Sequence, residues 1–142
     1  MTILSELAAD ANISVPRISK KINVNSSVVY SRIKRLIKRK LIERFTIVVN
    51  ERELGYTVKA LTGLNMDSKL RDNVIGELLK IPQVREISEV TGRFDIIVTM
   101  YARNLDEMHR LISESLGRIQ GVQRTESFIE MKKTAKPMPY KQ

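Results

Sequence analysis

After Leu41 the spacing of apolar residues changes from a helical period to a strand period, and that change divides the chain. Before it, three helical segments follow one another closely. Ile3, Leu4, Leu7 and Ala8 give a short first helix one apolar face, with Asn12 near its end. Ser14 reads as the N-cap of a second helix, with Pro16 in the first turn, where its missing N–H costs nothing. Ile18 and Ile22 stack one turn apart there, and Asn23 suits a left-handed stop. Asn25 then caps a third helix from about Ser26 to Lys40. Its Val29, Ile33, Leu36 and Ile37 share one side, while Ser26, Ser27, Tyr30, Ser31, Lys34 and Lys38 lie largely away from it.

Beyond the change, residues 42–50 (IERFTIVVN) read as a strand or hairpin arm, and residues 51–56 as a polar linker. Thr57 to Met66 reads as a strand in which Gly63 signals a bulge or a close backbone approach. Asp67 or Ser68 caps a helix with Leu70, Val74, Leu78 and Ile81 in helical register, stopped by Pro82. Val84 to Thr91 follows as a strand, with Val84, Glu86, Ser88 and Val90 on one side. Gly92-Arg93-Phe94-Asp95 turns into the strand Ile96 to Ala102. Asn104 and Glu107 open a helix with Leu105, Met108, Ile112, Leu116 and Ile119 on one face, and Gly121 ends it before a last strand, Val122 to Met131. Residues 57–131 therefore spell β-α-β-β-α-β, the split pattern of ferredoxin-like domains.

Charge follows the same division. Residues 1–50 hold ten Lys or Arg against three acids; residues 51–130 hold eleven against thirteen; the tail from Met131 adds four lysines. The net charge of +9 thus belongs to the N-terminal third and the tail, which points to a polyanionic partner. With no cysteine and a single histidine, His109, disulfide scaffolds, thiol nucleophiles and multi-histidine metal sites are excluded. No apolar run approaches the roughly 18–20 residues of a membrane span, and the N-terminus lacks a secretory signal. A reducing, cytoplasmic setting is expected.

The strongest motif is the helix pair around Asn23 followed by a basic third helix. In a helix-turn-helix the second helix of such a pair enters the major groove, and residues 42–50 would supply a wing. A structural three-helix bundle with a charged face is the plainer reading, but fold signal and charge excess coincide in the same fifty residues. His109 has no carboxylate and hydroxyl at usable spacing, so it reads as a surface or interface residue, and no catalytic constellation is present. Residues 91–95 suit a hairpin turn; they also place a glycine N–H, an arginine and a carboxylate side by side, as a small zwitterion requires. Phe94, Tyr101 and Phe128 are not arranged as RNA-reading sheet aromatics.

The whole chain resembles the leucine-responsive regulator/AsnC family, the feast–famine regulators. The resemblance rests on residues 3–7, on Ile13 to Leu36, on Arg32-Ile33-Lys34-Arg35-Leu36 with Leu41-Ile42, and on Leu54-Gly55. It extends to Gly92-Arg93-Phe94-Asp95, similar to the family's G-x-[FY]-D turn, and to Gly121-Val122-Gln123-Arg124-Thr125, similar to its GV-x-x-T entry. The resemblance implies a winged helix-turn-helix joined to a βαββαβ domain that dimerises through its sheets, with assembly to tetramers or octamers. It also implies an amino-acid effector bound between dimers, with Gly92, Arg93, Phe94, Asp95, Thr125 and Ser127 as candidate contacts. Candidate DNA contacts are Ser26, Ser27, Tyr30, Ser31 and Lys34, with Arg32 supporting the helix or touching phosphate. Lys38 joins them as a phosphate contact. Lys40 departs from the family, which favours glycine there, so the helix must leave through a costlier left-handed residue or another exit.

An α+β chain is therefore expected: a winged helix-turn-helix over 1–50, a linker over 51–56, and a βαββαβ domain over 57–142 with a basic tail over 132–142. The expected function is sequence-specific regulation of transcription on a pseudo-palindromic duplex, by a homodimer or higher oligomer, without enzymatic activity, metal or cofactor. The alternatives are an architectural DNA-binding protein of little selectivity, or a small-molecule sensor with no DNA role.

Overall fold

Helix α1 (Ile3–Ala9), α2 (Val15–Ile22) and α3 (Ser26–Lys38) enclose the first core in the computed structural model, which describes residues 2–140. Ile3, Leu7, Ile18, Val29 and Leu36 are buried together. The caps act as their sequence suggests at two of three ends: Ser14 Oγ accepts from Arg17 N, and Asn23 is left-handed at φ 56°. Asn25 has cap backbone geometry, yet its side chain makes no cap bond. The turn between α2 and α3 is clamped by Ser19, whose hydroxyl donates to the Val24 carbonyl while its own carbonyl accepts from Val24 N at 3.2 Å.

Helix α3 ends two residues earlier than expected, and Lys40 takes the left-handed exit at φ 59°. An L-residue there carries about 1–2 kcal/mol of strain, part of which glycine would return as unfolded-chain entropy. Lys40→Gly is accordingly expected to stabilise this unit by about 1 kcal/mol or somewhat less. A denaturation midpoint that stays put or falls would show that the exit is not strained.

Two expectations for this unit are corrected. Among the described residues, 42–50 form no strand: the segment has no regular secondary structure and no ladder partner, and it exposes Phe45, Ile47 and Val48. Its β-branched composition favours an extended backbone, but a ladder also needs a second strand, and no other described segment of this chain supplies one. Ile37, assigned to the buried side of α3, is 45% exposed, because Val29 and Leu36 already fill the narrow stripe that meets the other helices.

The second unit is a four-stranded antiparallel sheet in the order β2-β3-β1-β4, with β1 Val58–Met66, β2 Val84–Glu89, β3 Ile96–Ala102 and β4 Val122–Ile129. Helix α4 (Arg71–Leu79) and α5 (Leu105–Arg110) cover one face, burying Val74, Leu78, Met108, Leu111 and Leu116 against Ala60, Leu64, Val98 and Met100. The expected β-α-β-β-α-β order holds. Its details differ in two places where backbone irregularity resets the side-chain period. A bulge between Val84 and Glu86 puts Val84 and Ile87 on the core side together, so β2 does not alternate as expected. A π-helical turn over Leu111–Leu116 follows α5, so Leu111 and Leu116 are buried five residues apart while Leu105 is 62% exposed.

The start of α5 is held by a reciprocal cap. Asn104 Oδ1 accepts from Glu107 N at 2.8 Å, while the Glu107 carboxylate accepts from Arg103 N at 2.5 Å and from Gln83 Nε2 at 3.3 Å. The backbone N–H of Arg103 is the main reason that Glu107 titrates below its ordinary 4.5. A depressed carboxylate stabilises the fold above its unfolded pKa and ceases to do so as pH falls through the folded one. Glu107→Gln should therefore flatten the loss of stability below about pH 4.5; an acid limb identical to the wild type would place the shift elsewhere.

The chain divides into two compact units, Met1–Val48 with Thr134–Gln142, and Val49–Lys133. The tail from Thr134 thus goes with the helical unit rather than with the sheet, where it was expected. Within the helical unit the Thr2 and Ser5 hydroxyls both donate to the Tyr140 carbonyl, at 2.6 and 2.7 Å. Lys141 and Gln142, part of the expected basic tail, lie outside the described residues.

Candidate nucleic-acid interface and effector turn

Helix α3 presents the candidate DNA contacts on its solvent side because Val29 and Leu36 turn the opposite side inward. Ser27, Tyr30, Ser31, Arg32, Lys34 and Lys38 are all exposed, and Ser26 is half-buried at the first turn. No acid occurs between Ser26 and Lys40, a stretch that holds Arg32, Lys34, Arg35, Lys38, Arg39 and Lys40. The small hydroxyls lie next to the helix start, and the longer cationic side chains follow them along the helix. Sequence reasoning missed Glu6, which is buried on α1 and accepts from Lys21 Nζ at 3.1 Å, tying α1 to α2. A carboxylate on a face shared with Ser5 carries no periodic signal that would have exposed it.

The turn at residues 92–95 lies beside the sheet face that α4 and α5 leave open. Gly92 has φ +131°, and a side chain added there would meet nothing within 4 Å, so its main chain is approachable. Phe94 lies over Gly63, where a Cβ would stand only 2.5 Å from the ring Cγ. Gly63 was expected to mark a bulge or a close backbone approach; instead it admits an aromatic ring, and the register shift of β1 lies between Asn65 and Met66. The Arg93 guanidinium stacks 5.6 Å from the centre of that ring and pairs with Glu126 at 3.3 Å. Asn65 Nδ2 donates to the Arg93 carbonyl at 3.0 Å. Asp95 is already engaged: its Oδ2 accepts from Met66 N at 3.0 Å, where the β1–β4 register shifts.

The single chain does not bring Thr125 and Ser127 to this turn. In the β1–β4 register Thr125 faces with Leu64 and Ser127 with Thr62, which puts both on the helix-covered side. Ser127 and Thr62 share a hydrogen bond of 2.7 Å. The residues that do join Arg93 and Phe94 on the open side, Asn65 and Glu126, were not anticipated. Their signal was register: each lies on the same side as Gly63, one two residues along β1 and the other directly opposite.

At the other end of the open face, Lys59 pairs with Glu130 at 2.9 Å, and that carboxylate holds the lysine above its ordinary range. Arg85 stacks on Tyr56 and Tyr101. Between these polar ends, Leu61 and Phe128 are exposed and Ile97 is half-buried. Among the described residues no group of three His, Asp or Glu side chains is placed to hold a metal, and no helix is long and apolar enough to cross a membrane.

The family pattern for the Lrp/AsnC ligand binding domain matches residues 59–140, and a winged helix-turn-helix DNA-binding pattern matches residues 1–43. The chain belongs to the Lrp/AsnC family. This Lrp/AsnC protein is 35% identical over 127 residues to an uncharacterised HTH-type transcriptional regulator of Pyrococcus abyssi, covering 89% of this chain and 80% of the relative. Among solved structures it shares its fold with AsnC of E. coli (TM-score 0.84, 22% identity, covering 96% and 92% of the two chains). The same fold occurs in a transcriptional regulator of Neisseria meningitidis solved with L-methionine (TM-score 0.88, 17% identity, 96% and 92% covered). Lrp/AsnC proteins of this kind are transcriptional regulators and not enzymes. The family thus supplies the two-part organisation, a DNA-binding unit and a ligand-binding unit, that the charge division foreshadows.

Proposed function

We propose that this Lrp/AsnC regulator binds a pseudo-palindromic DNA site as a homodimer or higher oligomer in the cytoplasm, and that a free amino acid modulates it. The observation that carries this reading is the acid-free α3, with Ser27, Tyr30 and Ser31 exposed among cations on the side away from the core. Base edges meet Ser26, Ser27, Tyr30 and Ser31; Lys34, Lys38 and Arg32 meet phosphates. Two features support self-association. The apolar centre of the open sheet face, at Leu61, Ile97 and Phe128, is uncovered, and the segment 42–50 has backbone groups without a ladder. A two-fold dimer would present equivalent recognition helices to half-sites one helical turn, or a multiple of it, apart.

An amino acid brings an ammonium and a carboxylate, and burying both requires a partner for each. Gly92 N–H and Arg93 suit the carboxylate, and the oxygen of Asp95 left free by Met66 suits the ammonium. Phe94 sets the turn against the sheet. Thr125 and Ser127, on the covered side of the sheet within one chain, are candidate contacts only for an effector held between subunits. That a distant regulator of the same fold was solved with L-methionine favours this ligand class.

Footprinting on the duplex upstream of the protein's own coding sequence, with and without each of the twenty amino acids, tests both parts. Protection of paired half-sites on one duplex face is expected. Protection of one unpaired half-site, or a specific-to-random affinity ratio below about tenfold, would count against sequence-specific dimeric binding.

A further inference from the structure

Two arginines of α3 and the one at its C-cap stand apart from the lysines. Arg32, Arg35 and Arg39 follow at intervals of three and four, which places them in one row along a single flank of the helix. They line one cleft of about 470 Å³ with Thr2, Ile3, Ile22 and Leu36, where the start of α1 and the end of α2 meet α3. Arg32 and Arg35 also line an adjoining concavity of about 370 Å³ together with Ser27, Val28 and Ser31. The row therefore stands between the face assigned to base edges and a cleft walled by the other two helices. All three arginines are exposed, and among the described residues none is paired with a carboxylate. Neighbouring cations without counter-charges repel one another, and an arrangement of that kind is relieved by an anion of extended charge.

We infer that Arg32, Arg35 and Arg39 form a phosphate-gripping row that seats one wall of the DNA groove against the α1–α2 cleft. This rests on the reading of α3 as the DNA-binding helix and adds to it a second flank, opposite Tyr30, with Arg35 and Arg39 as new contacts. The row spans about 10 Å from Arg32 to Arg39 at the rise of an α-helix, enough to meet successive phosphates of one strand. Guanidinium forks suit this role because they hold phosphate oxygens in pairs, which sets the angle of the helix in the groove. The row consequently fixes register and orientation without reading sequence.

The test uses the full-length chain and two duplexes: one selected by the wild type from a randomised pool, and one of random sequence. Arg35→Ala and Arg39→Ala should each weaken binding to both duplexes by a similar factor. Each should lower the slope of log affinity against log salt by about 0.9 per phosphate contact, or about 2 for a dimer. The bases selected from the pool should not change. Arg35→Lys and Arg39→Lys should recover most of the slope, because charge is kept, but not all of the affinity, because the fork is lost. A salt slope unmoved by both alanine variants overturns the row, as does a change in the selected bases. If the wild type enriches no duplex from the pool and does not bind the random one, the DNA-binding reading falls and takes the row with it. Exposed side chains carry these substitutions, and an unchanged melting midpoint separates lost contacts from lost folding.

Discussion

Replacing Gly63 by valine is expected to displace the Phe94 ring and to destabilise the sheet unit by about 2–3 kcal/mol. Gly63 lies near the middle of β1, between Ile97 of β3 and Glu126 of β4, where a β-branched residue would ordinarily be welcome. What excludes a side chain is the ring: an added Cβ would lie 2.5 Å from Cγ and 2.7 Å from Cε2 of Phe94. The strand cannot retreat, because ladders hold it on both sides, so the ring must leave. With it would go the Arg93 stacking that orders the turn. A double-mutant cycle separates this from a general intolerance of the strand. In a Phe94→Ala background Gly63→Val should be close to neutral, so the coupling should approach the whole cost of the single substitution. Equal costs with and without the ring would sink the explanation.

Asp95→Asn is expected to shift any amino-acid-dependent change in assembly to far higher ligand concentration, and so to remove it at concentrations that suffice for the wild type, while leaving the fold nearly as stable as before. Asparagine keeps an oxygen to accept from Met66 N–H, the bond that closes the strand end at 3.0 Å, but it cannot offer a negative charge to an ammonium. A hydrogen bond to a charged group contributes about 1.5–3 kcal/mol, so ligand affinity should fall roughly 10- to 100-fold. Asp95→Ala answers a different question. It leaves the Met66 amide without its acceptor, at a cost of about 1–3 kcal/mol, and would disturb the turn whether or not a ligand binds there. Sedimentation of the wild type and both variants across the twenty amino acids, with denaturation of each, tells the two roles apart. A full response in Asp95→Asn would place the effector away from this turn. A wild-type distribution that never moves would mean that no effector acts through assembly.

Local chemistry made much of this protein legible in one dimension. Ser14, Pro16 and Asn23 announce the helix-turn-helix because caps and left-handed stops depend on one residue and its immediate neighbours. The strand Ile96 to Ala102 was legible from its β-branched and apolar residues, and its alternation, with Ile96, Val98, Met100 and Ala102 buried, follows from a pleat that nothing interrupts. The strained exit at Lys40 was expected only from the resemblance, which favours glycine there. The candidate DNA face was legible for the same reason: a helix with a narrow apolar stripe must turn its hydroxyls and cations the other way.

Other features depended on contacts that no local pattern records. The bulge at Arg85 and the π-turn after α5 shift the period within an element, so Ile87 joins Val84 on the core side in place of Glu86, and Leu111 reaches the core beside the expected Ile112. Thr125 and Ser127 sit near the right part of the chain but on the wrong side of the sheet for the turn, which only strand register reveals. Residues 42–50 have every mark of a strand and form none among the described residues, because pairing requires a second backbone edge as well as a willing sequence. By itself the sequence determined the order of the main helices and of the four sheet strands and the placement of charge, since those follow from short-range sterics and side-chain polarity. Which carboxylate holds a backbone amide, which ring covers a glycine and which arginines share a cleft were decided by tertiary structure, since each joins residues from separate elements.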